Sequence, residues 1–231
     1  MIISHHRKFI FLKTSKSAGS SLEIALSEHC GDQDILTRLH PEEEEQRLQR
    51  GGRTFQNDRW PLSKSGWGQW RRFIRGHWLV DEHTRAQDAR RLVDQSAWDS
   101  YFKFAFVRNP WDRAVSQWFW RCKSEPRPNF PVFLRGKHMR SMNRRGIEVY
   151  AIKGKPIVDR LCRYEEMAAE LAFVAERLAL GKPLEMPNAK GLFRKDRRHY
   201  SQWYDDDSRD LVARMFADEI ALTGYTFEDR R

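Results

Sequence analysis

The chain has 231 residues, of which 40% are hydrophobic and 32% are charged, and its formal net charge at pH 7 is +10. This length and composition suit one globular domain with a sizeable core, and they exclude wholesale disorder. The excess of Lys and Arg predicts attraction to anionic partners, such as nucleotides, acidic glycans, nucleic acids or membrane surfaces. The three cysteines are widely spaced, which argues against both a disulfide scaffold and a zinc site.

No apolar stretch approaches the roughly twenty residues of a membrane span, and the first apolar run suits a strand rather than a signal peptide. No Asn-x-Ser/Thr acceptor site for glycosylation occurs in the chain. We therefore expect a single domain over residues 1–231 in a cytoplasmic protein. The alternative is a trimmed domain from the lumen of a secretory compartment.

The first predicted unit is a strand over residues 9–12, a loop of small and polar residues, and a helix from residue 22. Small residues let the backbone approach a ligand with its N–H groups pointing inward, and the helix adds the positive end of its dipole. A lysine supplies a point charge, and serine hydroxyls supply further hydrogen bonds. The loop therefore predicts a phosphate or sulfate site made by Ser15, Lys16, Ser17, Ala18, Gly19, Ser20 and Ser21.

Two other interpretations of this segment are open. One is an ordinary strand-to-helix turn with a serine as the N-cap of the helix. The other is the phosphate loop of nucleotide triphosphatases, G-x-x-x-x-G-K-[ST], in which the lysine follows the last glycine and the next hydroxyl binds magnesium. Here Lys16 precedes Gly19, and Gly-Lys-Ser/Thr occurs nowhere in the chain, which argues against ATP or GTP hydrolysis.

Residues 30–70 are polar and irregular, and we interpret them as an excursion over the acceptor side of the site. The glutamates at residues 42–45 predict the solvated start of a short helix. A second parallel strand is predicted over residues 72–80, followed by a polar helix that ends near residue 94. Four tryptophans of this region either stack on a flat acceptor or pack in the core: Trp60, Trp67, Trp70 and Trp78.

A second anion site follows the strand predicted over residues 101–107, which is mostly aromatic and β-branched. Pro110 begins the next helix, which should end near Cys122. Arg108 lies at the carboxyl end of the strand and Ser116 two turns into the helix, so both face the crevice in which open α/β sheets bind nucleotides. Two such corners predict one ligand with two anionic ends.

The last third contains a predicted strand over residues 157–162 and a helix over residues 164–180 that Gly181 ends. A final helix with an apolar stripe follows three aspartates, which favour the helix dipole and need no metal. A basic segment over residues 190–200 lies between the two helices.

The two motifs resemble those of the sulfotransferases that use 3′-phosphoadenosine 5′-phosphosulfate (PAPS). The loop is similar to the 5′-phosphosulfate motif of that family, P-K-[TS]-[AG]-[GS]-[TS]-[ST], except that Ser15 stands where proline is usual. Residues 106–116 contain a match to its 3′-phosphate motif, R-[ND]-P-x-x-R-x-x-S. The order and spacing of the motifs suit the carbohydrate-type branch, which includes the heparan-modifying enzymes and bacterial relatives.

The resemblance implies an α/β fold, a three-layer sandwich with a central parallel sheet of the P-loop-like type. It implies PAPS as the sulfuryl donor, 3′,5′-ADP (PAP) as the product and no metal. The acceptor is a hydroxyl or an amine, with a glycan as the leading expectation. Neither a specific nucleic acid partner nor a membrane span is expected.

The resemblance also assigns roles to residues. Arg108 and Ser116 bind the 3′-phosphate, and Lys16 is the catalytic cation that meets the charge developing on the bridging oxygen. His77, in a Gly-His pair, is the general base. Glu82 and His83 are the other candidates for this role. A late basic loop is expected to close over the 3′-phosphate and adenine through Lys190, Arg197 or Arg198.

Two other functional classes stay open. A P-loop kinase shares the strand-loop-helix corner, but it needs a magnesium-binding hydroxyl after a glycine-lysine pair. A non-enzymatic basic module for glycan or nucleic acid explains the charge, but not the two nucleotide-type corners at strand ends.

Overall fold

A mixed β-sheet forms the centre of the computed structural model, which describes residues 1–60, 79–187, 196 and 198–231. The strands are β1 (Ile2–Ser4), β2 (Phe9–Leu12), β3 (Ile35–Leu36), β4 (Phe102–Val107), β5 (Ala151–Ile152), β6 (Lys155–Pro156) and β7 (Arg160–Arg163). The sheet has the order β3-β1-β2-β4-β7, and β5 pairs with β6 in a separate antiparallel ribbon.

The α-helices in the described residues fall between and after these strands. They are α1 (Gly19–Ser27), α2 (Pro41–Gln49), α3 (Ala86–Ala89), α4 (Gln95–Ser100), α5 (Pro110–Arg121), α6 (Phe130–Leu134), α7 (Lys137–Arg145), α8 (Met167–Arg177), α9 (Asp206–Met215) and α10 (Ala217–Thr223). No helix in this part of the chain is long and apolar enough to cross a membrane.

The sheet is only partly parallel, which differs from the predicted central parallel sheet. β2 runs parallel to β4, and β4 runs parallel to β7. β1 is antiparallel to both β2 and β3. For β1 and β2 the reason is the turn at residues 5–8, which is too short for the crossover that a parallel pair requires. Most of the strand predicted over residues 72–80 lies outside the described residues; at its end, Leu79 bridges antiparallel to Arg59.

Helices pack on both faces of the sheet, because alternate residues of a strand point to opposite sides. One face carries the phenylalanines of β2 and β4, which pack with residues of α1 and α8: Phe9, Phe11, Phe104, Phe106, Leu22 and Val174. The other face packs against α3 and α4 through Ile10, Leu12, Ala105, Val107, Ala86 and Trp98. All six residues of β4 are buried, as expected for a central parallel strand.

Three predicted helices differ from the observed ones. The polar helix expected to end near residue 94 is only the short α3 and a 3₁₀ turn over Arg90–Leu92, since Asp94 caps α4 by accepting the Ala97 N–H at 2.7 Å. The helix expected to reach residue 180 ends at Arg177. The final helix is two helices, α9 and α10, separated at Phe216.

Burial predicts which cysteine reacts. Cys30 and Cys162 are buried, and burial raises the pKa of both thiols. Burial also raises the pKa of the Cys122 thiol, but this residue is only half-buried and so is the most accessible of the three. Because the thiolate is the nucleophile, we expect iodoacetamide to label Cys122 in the native protein and to label the other two only after unfolding. Peptide mass spectrometry measures the three rates, and similar native rates for all three would contradict this prediction.

Candidate functional site

The two sequence motifs line one cavity of about 820 Å³. From the loop after β2 the lining includes Ser15, Lys16, Ala18, Gly19, Ser20 and Ser21, and from the second motif it includes Arg108 and Ser116. A cavity of this size suits a small-molecule or nucleotide ligand. The structure thus brings together residues that are 92 positions apart in the chain.

The loop owes its shape to two residues with left-handed backbone. Lys16 has a φ of 65° and Ala18 a φ of 63°, which is unusual for residues other than glycine and is found preferentially at functional sites. Left-handed residues alternating with right-handed ones turn successive N–H groups to one side and form an anion-binding nest. This geometry supports an anionic ligand at the loop.

The N-terminus of α1 also faces the cavity. Its N-cap residue is Ala18, whose side chain cannot cap the helix, so the alternative interpretation of a serine N-cap is wrong. The first N–H groups of a helix point out of its end and not to acceptors within it, so an anionic ligand at that end can accept hydrogen bonds from them. A side chain would not fit at Gly19, because an added Cβ would lie 2.5 Å from Lys13 Cγ.

Ser17 differs from its predicted role. Its side chain is fully buried, and its hydroxyl lies 2.6 Å from Thr14 Oγ1, which in turn donates to the carbonyl of Phe106. The Ser17 hydroxyl thus fastens the loop to β4 and does not line the cavity, in contrast to the hydroxyl ligand expected from the sequence.

Arg108 connects the two motifs. Its Nη1 donates to the Lys16 carbonyl at 3.2 Å, and its Nε and Nη2 donate to Asp112 Oδ2 at 2.8 and 2.6 Å. The guanidinium also lies 4.1 Å from the centre of the Tyr164 ring. Asp112, one turn further along α5, fixes the orientation of Arg108, a role that the i,i+4 spacing of the pair could have indicated.

The turn between β4 and α5 is held by residues far away in the sequence. The Asn109 N–H donates to Glu165 Oε1 at 2.8 Å, and Asn109 Nδ2 donates to the Thr226 carbonyl at 3.0 Å. The Tyr225 hydroxyl donates to Glu165 Oε2 at 2.7 Å. Sequence reasoning missed Glu165, which also lines the cavity.

The Lys16 ammonium lies 4.5 Å from the centre of the Trp120 ring, a cation–π contact inside the cavity. The Lys123 ammonium contacts the same ring at 4.4 Å. The His40 ring lies 6.1 Å from the Trp120 ring, centre to centre, and the cavity wall also contains Arg121 and His138, so the lining includes aromatic and basic groups.

A buried polar network lies beside the loop. Lys13 Nζ donates to Glu23 Oε2 at 2.8 Å and to Glu82. His83 Nδ1 lies 2.8 Å from the Lys13 carbonyl, and Glu82 and His83 both line the cavity. Burial and the Lys13 charge lower the pKa of His83, although Glu82 opposes this effect.

Among the described residues, one further predicted residue, Arg198, is not brought to the cavity. Arg198 is exposed, donates through Nε to Asp196 Oδ2 at 2.8 Å and does not line the cavity. His77, Lys190 and Arg197 lie outside the described residues.

Comparison with known proteins identifies the family. A family model described as the sulfotransferase family matches residues 1–167, a range that includes the loop and the whole of α5. No curated protein and no solved structure matches the chain. Since the matched range covers most of the chain and both anion-binding motifs, the protein belongs to the sulfotransferase family.

Proposed function

We propose that the protein transfers a sulfuryl group from PAPS to an acceptor hydroxyl or amine, and that one P-loop-like domain over residues 1–231 carries this activity. The main support is the hydrogen bond from Arg108 Nη1 to the Lys16 carbonyl, which joins two anion-binding motifs across one cavity. A nucleotide with anionic groups at both its 5′ and 3′ positions fits such a pair. The helices on both faces of the sheet agree with a three-layer fold.

In this proposal each end of the donor has its own contacts. The loop N–H groups, together with Ser20 and Ser21, hold the 5′-phosphosulfate. Arg108 and Ser116 hold the 3′-phosphate. By resemblance alone, residues of the basic segment close over the nucleotide: Lys190, Arg197 or Arg198.

The donor supplies the sulfuryl group, and the protein supplies position and charge. By analogy with phosphoryl transfer, little covalent chemistry falls to the protein. Lys16 neutralises the charge on the oxygen that the sulfuryl group leaves. A histidine removes the acceptor proton, either His77, which the resemblance assigns, or His83, which lines the cavity.

For the acceptor we propose a glycan. Trp120 lines the cavity beside Lys16, and a large aromatic side chain there offers contact area to a sugar. Arg121, His40 and His138 add positive or polar groups around it. The net charge of +10 favours an acidic glycan over a neutral one.

Selective binding of 3′,5′-ADP tests the donor assignment. A charge-assisted phosphate contact contributes about 1.5–3 kcal/mol, so 3′,5′-ADP should bind more than about tenfold more tightly than 5′-AMP. Arg108→Ala should erase this preference. Isothermal titration calorimetry measures both affinities. The thermal shift of the protein is measured with 3′,5′-ADP, 5′-AMP and magnesium-ATP, and the largest stabilisation by magnesium-ATP would identify a kinase instead.

A matched control for Arg108 is Arg160, which also pairs with a carboxylate, Glu170, and lies over an aromatic ring, Phe173, at 4.6 Å. Arg160 does not line the cavity. Arg160→Ala should therefore keep the preference for 3′,5′-ADP. Equal affinities of the wild-type protein for 3′,5′-ADP and 5′-AMP would refute the assignment of a 3′-phosphate site.

A further inference from the structure

His83 is held in an orientation that decides which of its nitrogens carries hydrogen. Its Nδ1 lies 2.8 Å from the Lys13 carbonyl, and a carbonyl oxygen can only accept a hydrogen bond. Nδ1 must therefore be the protonated nitrogen, which leaves the lone pair of the neutral ring on Nε2. Free histidine prefers the opposite tautomer, so the protein backbone imposes this one.

Burial of His83, more than the charges around it, favours the neutral ring, which can take a proton at Nε2. Burial and the Lys13 ammonium lower the pKa of His83, while the Glu82 carboxylate opposes them. In the part of the chain that the structure describes, charged groups around this network also include the Asp81 carboxylate, which accepts the His83 backbone N–H at 2.7 Å, the Glu23 carboxylate, the Met1 amino group and, next to Met1, Arg47.

Glu82 has a different role from His83, because its carboxylate stays ionised and does not act as the base. Burial raises the pKa of its carboxyl, but the Lys13 ammonium and His83 together outweigh this effect and lower the pKa to about 2. Glu82 is therefore ionised at neutral pH and too weak a base to take an acceptor proton. Its Oε1 lies 3.7 Å from His83 Nε2, where a carboxylate stabilises the imidazolium once Nε2 is protonated.

We propose that His83 Nε2 accepts the proton of the acceptor group, and that Lys13 and Glu82 are positioning residues that fix its tautomer and stabilise its protonated form. This inference rests on the proposed function and names the proton acceptor within it. The acceptor atom bonds to sulfur while its proton moves to Nε2. The bond between sulfur and the bridging oxygen breaks, and its electron pair stays on the 5′-phosphate of the product.

The tautomer can be measured without any acceptor. In ¹⁵N-histidine-labelled protein, long-range ¹H–¹⁵N correlation spectra distinguish the two tautomers, and His83→Gln assigns the signal. We expect His83 to be neutral at neutral pH, with hydrogen on Nδ1. A ring that carries hydrogen on Nε2, or that is charged at neutral pH, overturns the inference.

Glu82→Gln tests the positioning role by pH titration of the same signal. Because the Glu82 carboxylate raises the pKa of His83, its removal should move the His83 titration midpoint to lower pH while the tautomer is retained. The matched control is Glu165→Gln, which alters a cavity carboxylate at the other motif and should leave the midpoint unchanged. An unchanged midpoint in Glu82→Gln overturns the role of Glu82.

Activity separates this inference from the proposed function. With PAPS and desulfated heparin as probes, His83→Ala should lower the transfer rate roughly 10²–10⁴-fold while 3′,5′-ADP still binds. An active His83→Ala protein beside an inactive His77→Ala protein assigns the base to His77 and overturns the inference alone. Failure of the wild-type protein to prefer 3′,5′-ADP over 5′-AMP overturns the proposed function and this inference with it.

Discussion

Lys16→Ala should lower the turnover number roughly 10²–10³-fold while 3′,5′-ADP still binds, because the Lys16 charge matters most when the leaving oxygen becomes negative. The substitution keeps the backbone, so the carbonyl that accepts from Arg108 remains in place. Single-turnover transfer from radiolabelled PAPS, followed together with 3′,5′-ADP affinity, separates the chemical step from binding.

The matched control is Lys123→Ala. Both lysines place an ammonium over the Trp120 ring, at 4.5 Å for Lys16 and 4.4 Å for Lys123, but only Lys16 lines the cavity. Lys123→Ala should therefore retain near wild-type turnover. A Lys16→Ala protein with a near wild-type single-turnover rate and only a raised donor requirement would make Lys16 a binding residue.

Glu219→Ala should destabilise the fold by about 3–5 kcal/mol, because it leaves the Arg113 guanidinium buried without its charge partner. Arg113 Nη1 and Nη2 donate to the two carboxylate oxygens of Glu219 at 2.8 and 2.5 Å, and the Arg113 side chain is 1% exposed. Urea unfolding at neutral pH measures the loss as a lower midpoint with an unchanged slope.

Two further variants show whether the loss comes from the unpaired charge. Asp218→Ala, at the exposed neighbouring position of α10, should change stability by less than about 1 kcal/mol. Replacing both partners with apolar residues, as in Arg113→Met with Glu219→Leu, should recover most of the stability. A double variant as unstable as Glu219→Ala would show that packing, and not the charge pair, is responsible.

Local patterns predicted the parts of the fold that local forces determine. The aromatic and β-branched run before Arg108 is β4, and Pro110 begins α5 because its fixed φ suits the first turn, where Asn109 accepts the Trp111 N–H at 3.1 Å. β3 has only two residues and pairs with β1 across more than thirty positions of the chain. The spacing of hydrophobic residues in the sequence does not reveal such a non-local pair.

The residues of the candidate site also fall into two groups, those that the local sequence indicates and those that only the folded chain reveals. Lys16 and Arg108 follow from residue type and position at strand ends, since small residues and cations near a helix N-terminus have a local chemical meaning. Trp120 resembles any other aromatic residue of α5 until the folded chain places Lys16 over its ring. Glu165 and Tyr225 act on Asn109 across long separations, so only the tertiary structure shows them.

The strand order also governs how the chain folds during synthesis. β2 lies between β1 and β4, and β4 leaves the ribosome long after β2. Until then β2 pairs only with β1, which itself pairs with the two-residue β3, so the other edge of β2 has no partner strand. A nascent chain that ends before residue 102 therefore exposes the unpaired apolar edge of β2 to chaperones. The five-stranded sheet is complete only after β7, and with it residue 163, has left the exit tunnel.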